Sequence, residues 1–161
     1  MKGSIRPGLL ESGSMQEARP FSLRVRVYYE DTDAGGIVYH ATYLRWMERA
    51  RTEWLRALGG QHADMAARDG VQFVVSELGI QYRRPARLDD LVDVDLEVTQ
   101  VGRASLRVGQ RTRLATGEAD AGPGARGALL TDATVRIAVM DRHSGRPAPL
   151  PRWLLDTLGT K

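Results

Sequence analysis

One stretch, 27–58 (VYYEDTDAGGIVYHATYLRWMERARTEWLRAL), constrains this chain more than any other. It opens at the end of an alternating segment. Over 21–29, Leu23, Val25, Val27 and Tyr29 point one way, and Arg24, Arg26 and Tyr28 point the other. That period of two predicts a half-buried strand. The carboxylates and glycine pair of 30–36 (EDTDAGG) then break the strand, because such residues favour turns and glycine reaches positive φ. From about Tyr39 to Leu58, the residues Tyr43, Met47, Ala50, Trp54 and Leu58 recur three and four apart, and Leu44 and Leu55 widen the stripe. This spacing predicts an amphipathic helix with one face to bury. Gly59-Gly60 ends it. On its polar side, Arg45/Glu48 and Glu53/Arg56 are spaced to pair.

The rest of the chain supplies a surface to cover that face. A short second helix is predicted over 62–68. Strands are predicted over 71–78 and 80–84, the latter either separate or a continuation past a bend at Gly79. Pro85 opens a connecting loop. Over 91–99, Val92, Val94, Leu96 and Val98 alternate with outward Asp93, Asp95, Glu97 and Thr99. After a turn at Val101-Gly102-Arg103, Leu106, Val108, Gln110, Thr112 and Leu114 continue the inward face, with Arg107, Arg111 and Arg113 outward. These runs predict a hairpin with an acidic row beside a basic row, so the outward charges have a structural explanation. A glycine- and alanine-rich loop (115–128), a last strand (129–140) and a helical turn opening at Pro151 complete the pattern. One strand, a long helix and a run of antiparallel strands make an α+β layout.

Residues 1–20 lack periodicity and an apolar signal-peptide core, so they read as a flexible tail before a single domain at 21–161. Met15 is a candidate start, since the patterned chain begins soon after it; an added leader is the alternative. No apolar run is long enough to span a bilayer. The absence of cysteine excludes disulfides, thiolate metal sites and a cysteine nucleophile, and is compatible with a reducing cytoplasm. The net charge of +3 comes from 23 basic residues scattered among 20 acidic ones. That balance suits an anionic ligand, and it lacks the basic patch that a nucleic-acid binder concentrates. His40, His62 and His143 are not spaced as metal ligands, so no metal is expected. There is no G-x-S-x-G, Walker or Rossmann motif.

What remains for chemistry is the turn before the long helix. Asp33 is a carboxylate just ahead of a helix N-terminus, whose first amides lack intrahelical partners and carry the positive end of the dipole. Such an end can polarise a carbonyl, and a nearby carboxylate can activate water or attack directly. Gly35 and Gly36 let the backbone come close to a reacting group. The structural alternative is that Asp33 is a cap or dipole partner and His40 a packing residue.

The residues Tyr28-Tyr29-Glu30-Asp31-Thr32-Asp33-Ala34-Gly35-Gly36-Ile37-Val38-Tyr39-His40 carry a resemblance, together with Tyr43-Leu44, Glu48-Arg49-Ala50-Arg51-Thr52-Glu53 and Arg83-Arg84-Pro85-Ala86-Arg87-Leu88-Asp89-Asp90. They resemble the bacterial acyl-CoA thioesterases associated with the Tol–Pal system, relatives of 4-hydroxybenzoyl-CoA thioesterase. The resemblance implies a hot-dog fold, in which a curved antiparallel sheet wraps a long central helix. It implies hydrolysis of an acyl-CoA thioester in the cytoplasm, with coenzyme A as part of the substrate and no separate cofactor. Asp33 stands where the family has its base or nucleophile. The His40 amide stands where the family polarises the carbonyl, and Tyr29 and the His40 side chain match positions that shape the site. Glu48 is the alternative carboxylate, as in hot-dog enzymes that act from the helix interior. Arg103 falls where relatives place basic residues near the coenzyme A phosphates. Homodimers or homotetramers are expected. The competing function is a non-catalytic module binding acyl-CoA or acyl carrier protein. Trp46, Met47 and Trp54 either line an acyl pocket or are core.

Overall fold

The computed structural model describes residues 20–116 and 127–159. Apart from Pro20, the expected tail lies outside the described residues, as does most of the expected 115–128 loop. Five antiparallel strands form one sheet: β1 (Phe21–Arg26), β2 (Val71–Tyr82), β3 (Leu91–Val101), β4 (Ser105–Leu114) and β5 (Leu129–Asp141), in the order β1-β3-β4-β5-β2. The long helix, α1 (His40–Ala57), lies between β1 and the rest. A short helix, α2 (His62–Asp64), runs on as one π-turn over Met65–Asp69, and α3 (Arg152–Thr157) closes the described chain. No helix among the described residues is long and apolar enough to cross a membrane.

The stripe read from the sequence is the face that α1 buries. Thr42, Tyr43, Trp46, Met47, Ala50, Trp54 and Leu55 are buried, and Leu44 and Leu58 are half-buried. Trp46, Met47 and Ala50 pack with Val92 and Val94 of β3 and Leu130 and Ala133 of β5. Further along, Trp54 and Leu55 join Leu96, Leu106, Val108, Val135 and Val139. Each fully buried side chain of this size contributes roughly 1.5–3 kcal/mol. Trp46 and Met47 are therefore core, while Trp54 borders a small cavity of about 130 Å³. At the far end, Gly59 takes φ +88, and a Cβ on Gly60 would sit 2.3 Å from the Trp153 ring. The glycine pair thus both stops the helix and lets α3 pack against its end.

The β3–β4 hairpin sets the acidic row beside the basic row as expected, with Asp93 opposite Arg113 and Asp95 opposite Arg111. Its charges reach beyond the hairpin as well. Arg24 of β1 grips Asp93 through two bonds of 2.7 and 3.0 Å, Arg111 pairs with Asp132 of β5, and Arg107 pairs with Glu77 of β2. Inside, the Gln110 side chain is fully buried and bridges Arg51 (2.8 Å) and the Met47 carbonyl (3.0 Å).

Three local expectations change. The segment 71–84 is one strand ending at Tyr82, and its irregularity is a bulge between Val75 and Glu77 rather than a break at Gly79, which pairs with Thr134. The first strand ends at Arg26, so Tyr29 is not an inward strand residue; it starts a 3-10 turn (Tyr29–Asp31) and is 82% exposed. The Asp31 carboxylate accepts the Tyr28 N–H at 2.9 Å, which curls the chain out of the sheet. Glu53 and Arg56 pair as expected, but Glu48 accepts a hydrogen bond from the Thr52 hydroxyl instead of pairing with Arg45.

Candidate active site

Asp31 and Thr32 spend their side chains on the turn itself: Asp31 on the Tyr28 amide, Thr32 on the Tyr29 carbonyl at 2.8 Å. An antiparallel bridge between Thr32 and Val38 then pinches off a five-residue loop, 33–37. Within it the Asp33 amide donates to the Ile37 carbonyl and the Gly36 amide to the Asp33 carbonyl, each at 3.0 Å. Gly36 takes φ +74, which closes this turn and disfavours a side chain there. The Gly35 amide donates to Asp33 Oδ1 at 2.8 Å. One carboxylate oxygen is thereby held by its own loop, and no partner within the described residues engages the other.

The chain next enters α1. The Tyr39 amide donates to the Asp31 carbonyl and the Val38 amide to the Ala86 carbonyl, fixing the entry. Tyr39 is the N-cap, its side chain makes no capping bond, and no acidic residue lies in the first turn. The His40 and Ala41 amides consequently donate to nothing among the described residues. This is an open helix N-terminus, able to receive a carbonyl oxygen or an oxyanion.

Asp33, Ile37, Val38 and His40 form one wall of a cleft of about 430 Å³, and Tyr82, Arg83, Arg84 and Pro85 form another, with Tyr43 between them. The second wall arrives from the far edge of the sheet and is tied to α1 twice. The Tyr82 hydroxyl donates to the His40 carbonyl at 2.8 Å, and the Ala86 amide donates to the Tyr43 hydroxyl at 2.9 Å. The rings of His40, Tyr43 and Tyr82 meet edge-on, 6.3 and 5.8 Å between centroids from Tyr82. Burial pushes the Tyr43 phenol above its ordinary pKa, with the Ala86 amide working in the opposite direction; burial also raises Tyr82. Both are therefore neutral hydroxyls at physiological pH.

The cleft brings together Asp33 and His40 from the sequence-based candidates. Tyr29 lies instead in a second hollow, of about 480 Å³, on the other side of Asp33, with Gly36 and Leu88. Gly35 and Gly36 build the Asp33 loop. Glu48 stands two turns along α1, beside Thr52 and His62, where the Thr52 hydroxyl and His62 Nε2 are 3.4 Å apart, and it does not line the Asp33 cleft. Arg103 sits in the β3–β4 turn. The cleft lies at the other end of that hairpin, since Leu91 at the start of β3 pairs with Arg26. The eleven residues of β3, about 33 Å of extended chain, run between the two. Sequence reasoning did not single out Tyr82, Arg83 and Arg84. Arg83 and Arg84 stand within the stretch that carries the family resemblance but were given no role there, because their place beside His40 depends on the sheet order. No group of three or more acidic or histidine side chains that could hold a metal occurs among the described residues.

Comparison with known proteins shows the family and the fold. Residues 35–120 match the thioesterase superfamily model. The chain is 42% identical over 132 residues to acyl-CoA thioesterase YbgC of Haemophilus influenzae, covering 82% of this chain and 89% of that protein. It is 43% identical over 136 residues to acyl-CoA thioester hydrolase YbgC of Escherichia coli, covering 84% and 92%. Among solved structures, a 1,4-dihydroxy-2-naphthoyl-CoA thioesterase from Synechocystis superposes with a TM-score of 0.75 at 21% identity over 86% of this chain and 95% of that one, a likeness of fold. A probable thioesterase from Bartonella henselae superposes with a TM-score of 0.66 at 30% identity, over 83% and 100%. The five-stranded sheet around one long helix is thus the hot-dog fold, and the chain belongs to the thioesterase superfamily.

Proposed function

We propose that this chain hydrolyses acyl-CoA thioesters to the free acid and coenzyme A. The observation that carries the reading is one cleft holding both an oriented carboxylate and an unpartnered helix N-terminal amide. The two relatives named above for acyl-CoA thioester hydrolysis support the substrate class. In this reading the thioester carbonyl oxygen accepts the His40 N–H, which stabilises the charge that builds on it. The free oxygen of Asp33 either takes a proton from an attacking water or itself attacks the carbonyl carbon. The C–S bond breaks and the coenzyme A thiolate leaves; where Asp33 acted as base, the proton it took passes to the thiolate or to solvent, and where it attacked, water hydrolyses the resulting anhydride to the free acid and restores the carboxylate. No separate cofactor is needed. The absence of cysteine and the substrate class both fit a reducing, cytoplasmic setting.

The test is thiol release over a panel of short, long and aromatic acyl-CoAs. Asp33→Asn should keep the fold and lose nearly all turnover; near-normal activity would refute the role given to Asp33. The same protein is proposed to act as a homodimer. The outer edge of β2 pairs with no strand among the described residues, and it exposes Val75, Leu78 and Tyr82. An open edge of this kind invites strand pairing. Because Tyr82 is on that edge and in the cleft, a second copy would stand beside the site.

The second reading is a non-catalytic module that binds acyl-CoA or acyl carrier protein. It draws on the use of Asp33 Oδ1 within its own loop. Binding without thiol release would favour it.

A further inference from the structure

Of the six arginines on the strands, Arg26 donates to the Asp89 carbonyl, Arg136 has no side-chain hydrogen bond or ion pair among the described residues, and the other four are paired with acids. Arg24, Arg107, Arg111 and Arg113 each face a carboxylate: Asp93, Glu77, Asp132 and Asp95 respectively. The two arginines that line the cleft do not. Arg83 donates to the neutral amide oxygen of Gln81. Arg84 has no side-chain partner among the described residues. Asp33 is the one carboxylate among the lining residues, so the cleft carries an excess of positive charge.

These side chains stand on a fixed base. The Arg83 and Arg84 amides both donate to the Leu130 carbonyl, at 2.7 and 3.1 Å. Pro85 restricts Arg84 to an extended backbone. Ala86, the next residue, is held through its amide by Tyr43 and through its carbonyl by Val38. A planar guanidinium on such a base suits bidentate recognition of phosphate or carboxylate.

We propose that Arg83 and Arg84 form an anion-binding rim that selects substrates by an anionic group. That group is a phosphate of the coenzyme A arm or a carboxylate on the acyl moiety. The proposal rests on the acyl-CoA reading above and gives the cleft rim the task that sequence analysis assigned to Arg103.

The experiment compares the full chain with Arg84→Gln, the double variant Arg83→Gln/Arg84→Gln, and Arg84→Lys. Three substrates are used: one neutral acyl group on coenzyme A, the same group on pantetheine, and its ω-carboxyl counterpart on pantetheine. If the rim reads phosphate, the double variant lowers the acyl-CoA to acyl-pantetheine ratio of kcat/KM by about tenfold, through KM. If it reads the acyl carboxylate, the carboxyacyl to acyl ratio on pantetheine falls by a similar factor. Arg84→Lys should fall between, because it keeps charge and loses the fork. Equal losses on all three substrates, or no loss on any, overturn the proposal. If the wild-type chain releases no thiol from any of them, the hydrolase reading fails. Calorimetric titration with coenzyme A and with the carboxyacyl pantetheine then decides the rim: equal affinities of wild type and double variant for both overturn it. Arg84→Gln alone keeps the test available should the double variant not fold, since the Arg84 side chain makes no hydrogen bond or ion pair among the described residues.

Discussion

Substituting His40 by proline isolates the backbone amide proposed to polarise the thioester. His40 is the first residue of α1. Proline is well tolerated at that position, where its missing N–H has no intrahelical partner and its φ suits the helix. The residue before it must be extended, and Tyr39 already is, at φ −60 and ψ 133. The His40 amide donates to nothing among the described residues, so the fold loses no hydrogen bond. What disappears is a donor to the substrate. Removing one oxyanion donor costs about 10²–10³ in turnover, or about 2.7–4 kcal/mol. His40→Ala is the control: it removes the imidazole and its edge contact with Tyr39, 4.5 Å between centroids, but keeps the amide. Thiol-release kinetics should rank wild type above His40→Ala and His40→Ala well above His40→Pro. Thermal melts of the two variants should agree to about 4 °C, the shift expected for a difference of about 1 kcal/mol in a chain of this size. Equal activity of the two variants with intact melts would refute the role of the amide. A loss in His40→Ala as deep as that in Asp33→Asn would point to the imidazole as the base.

Two further outcomes are expected. Tyr43→Phe leaves the Ala86 amide, in a residue with 0% exposure, without an acceptor and should destabilise by about 2 kcal/mol. Tyr82→Phe, at a half-exposed ring whose carbonyl partner water can reach, should cost about 0.5–1 kcal/mol, so urea denaturation giving equal or reversed values would contradict this assignment of burial. Val75→Glu puts a charge on the exposed edge of β2 and should shift the protein toward monomer in analytical ultracentrifugation, while an unchanged mass would argue against pairing through that edge.

The sequence by itself determined what local chemistry controls. The helical spacing of Tyr43, Met47, Ala50 and Trp54 located α1 and its buried face. Alternation in 91–114 located the hairpin and its facing acidic and basic rows. The acidic, glycine-containing turn marked the break before the helix start, because caps, turns and dipoles act over a few residues, while the choice of Asp33 over Glu30 and Asp31 came from the family resemblance. Tertiary structure decided which distant residues meet there. The order β1-β3-β4-β5-β2 carries Tyr82, Arg83 and Arg84 from the sheet edge to the first turn of α1, and carries Arg103 to the opposite end. No periodicity encodes that meeting, since strand alternation fixes the face a side chain takes but not which strand lies next to it. Tyr29 leaves the predicted alternation for a local reason: the Asp31 carboxylate captures the Tyr28 amide and the strand ends three residues early. Glu48 likewise had a partner within reach at Arg45, and the fold gave it Thr52, next to His62 of α2.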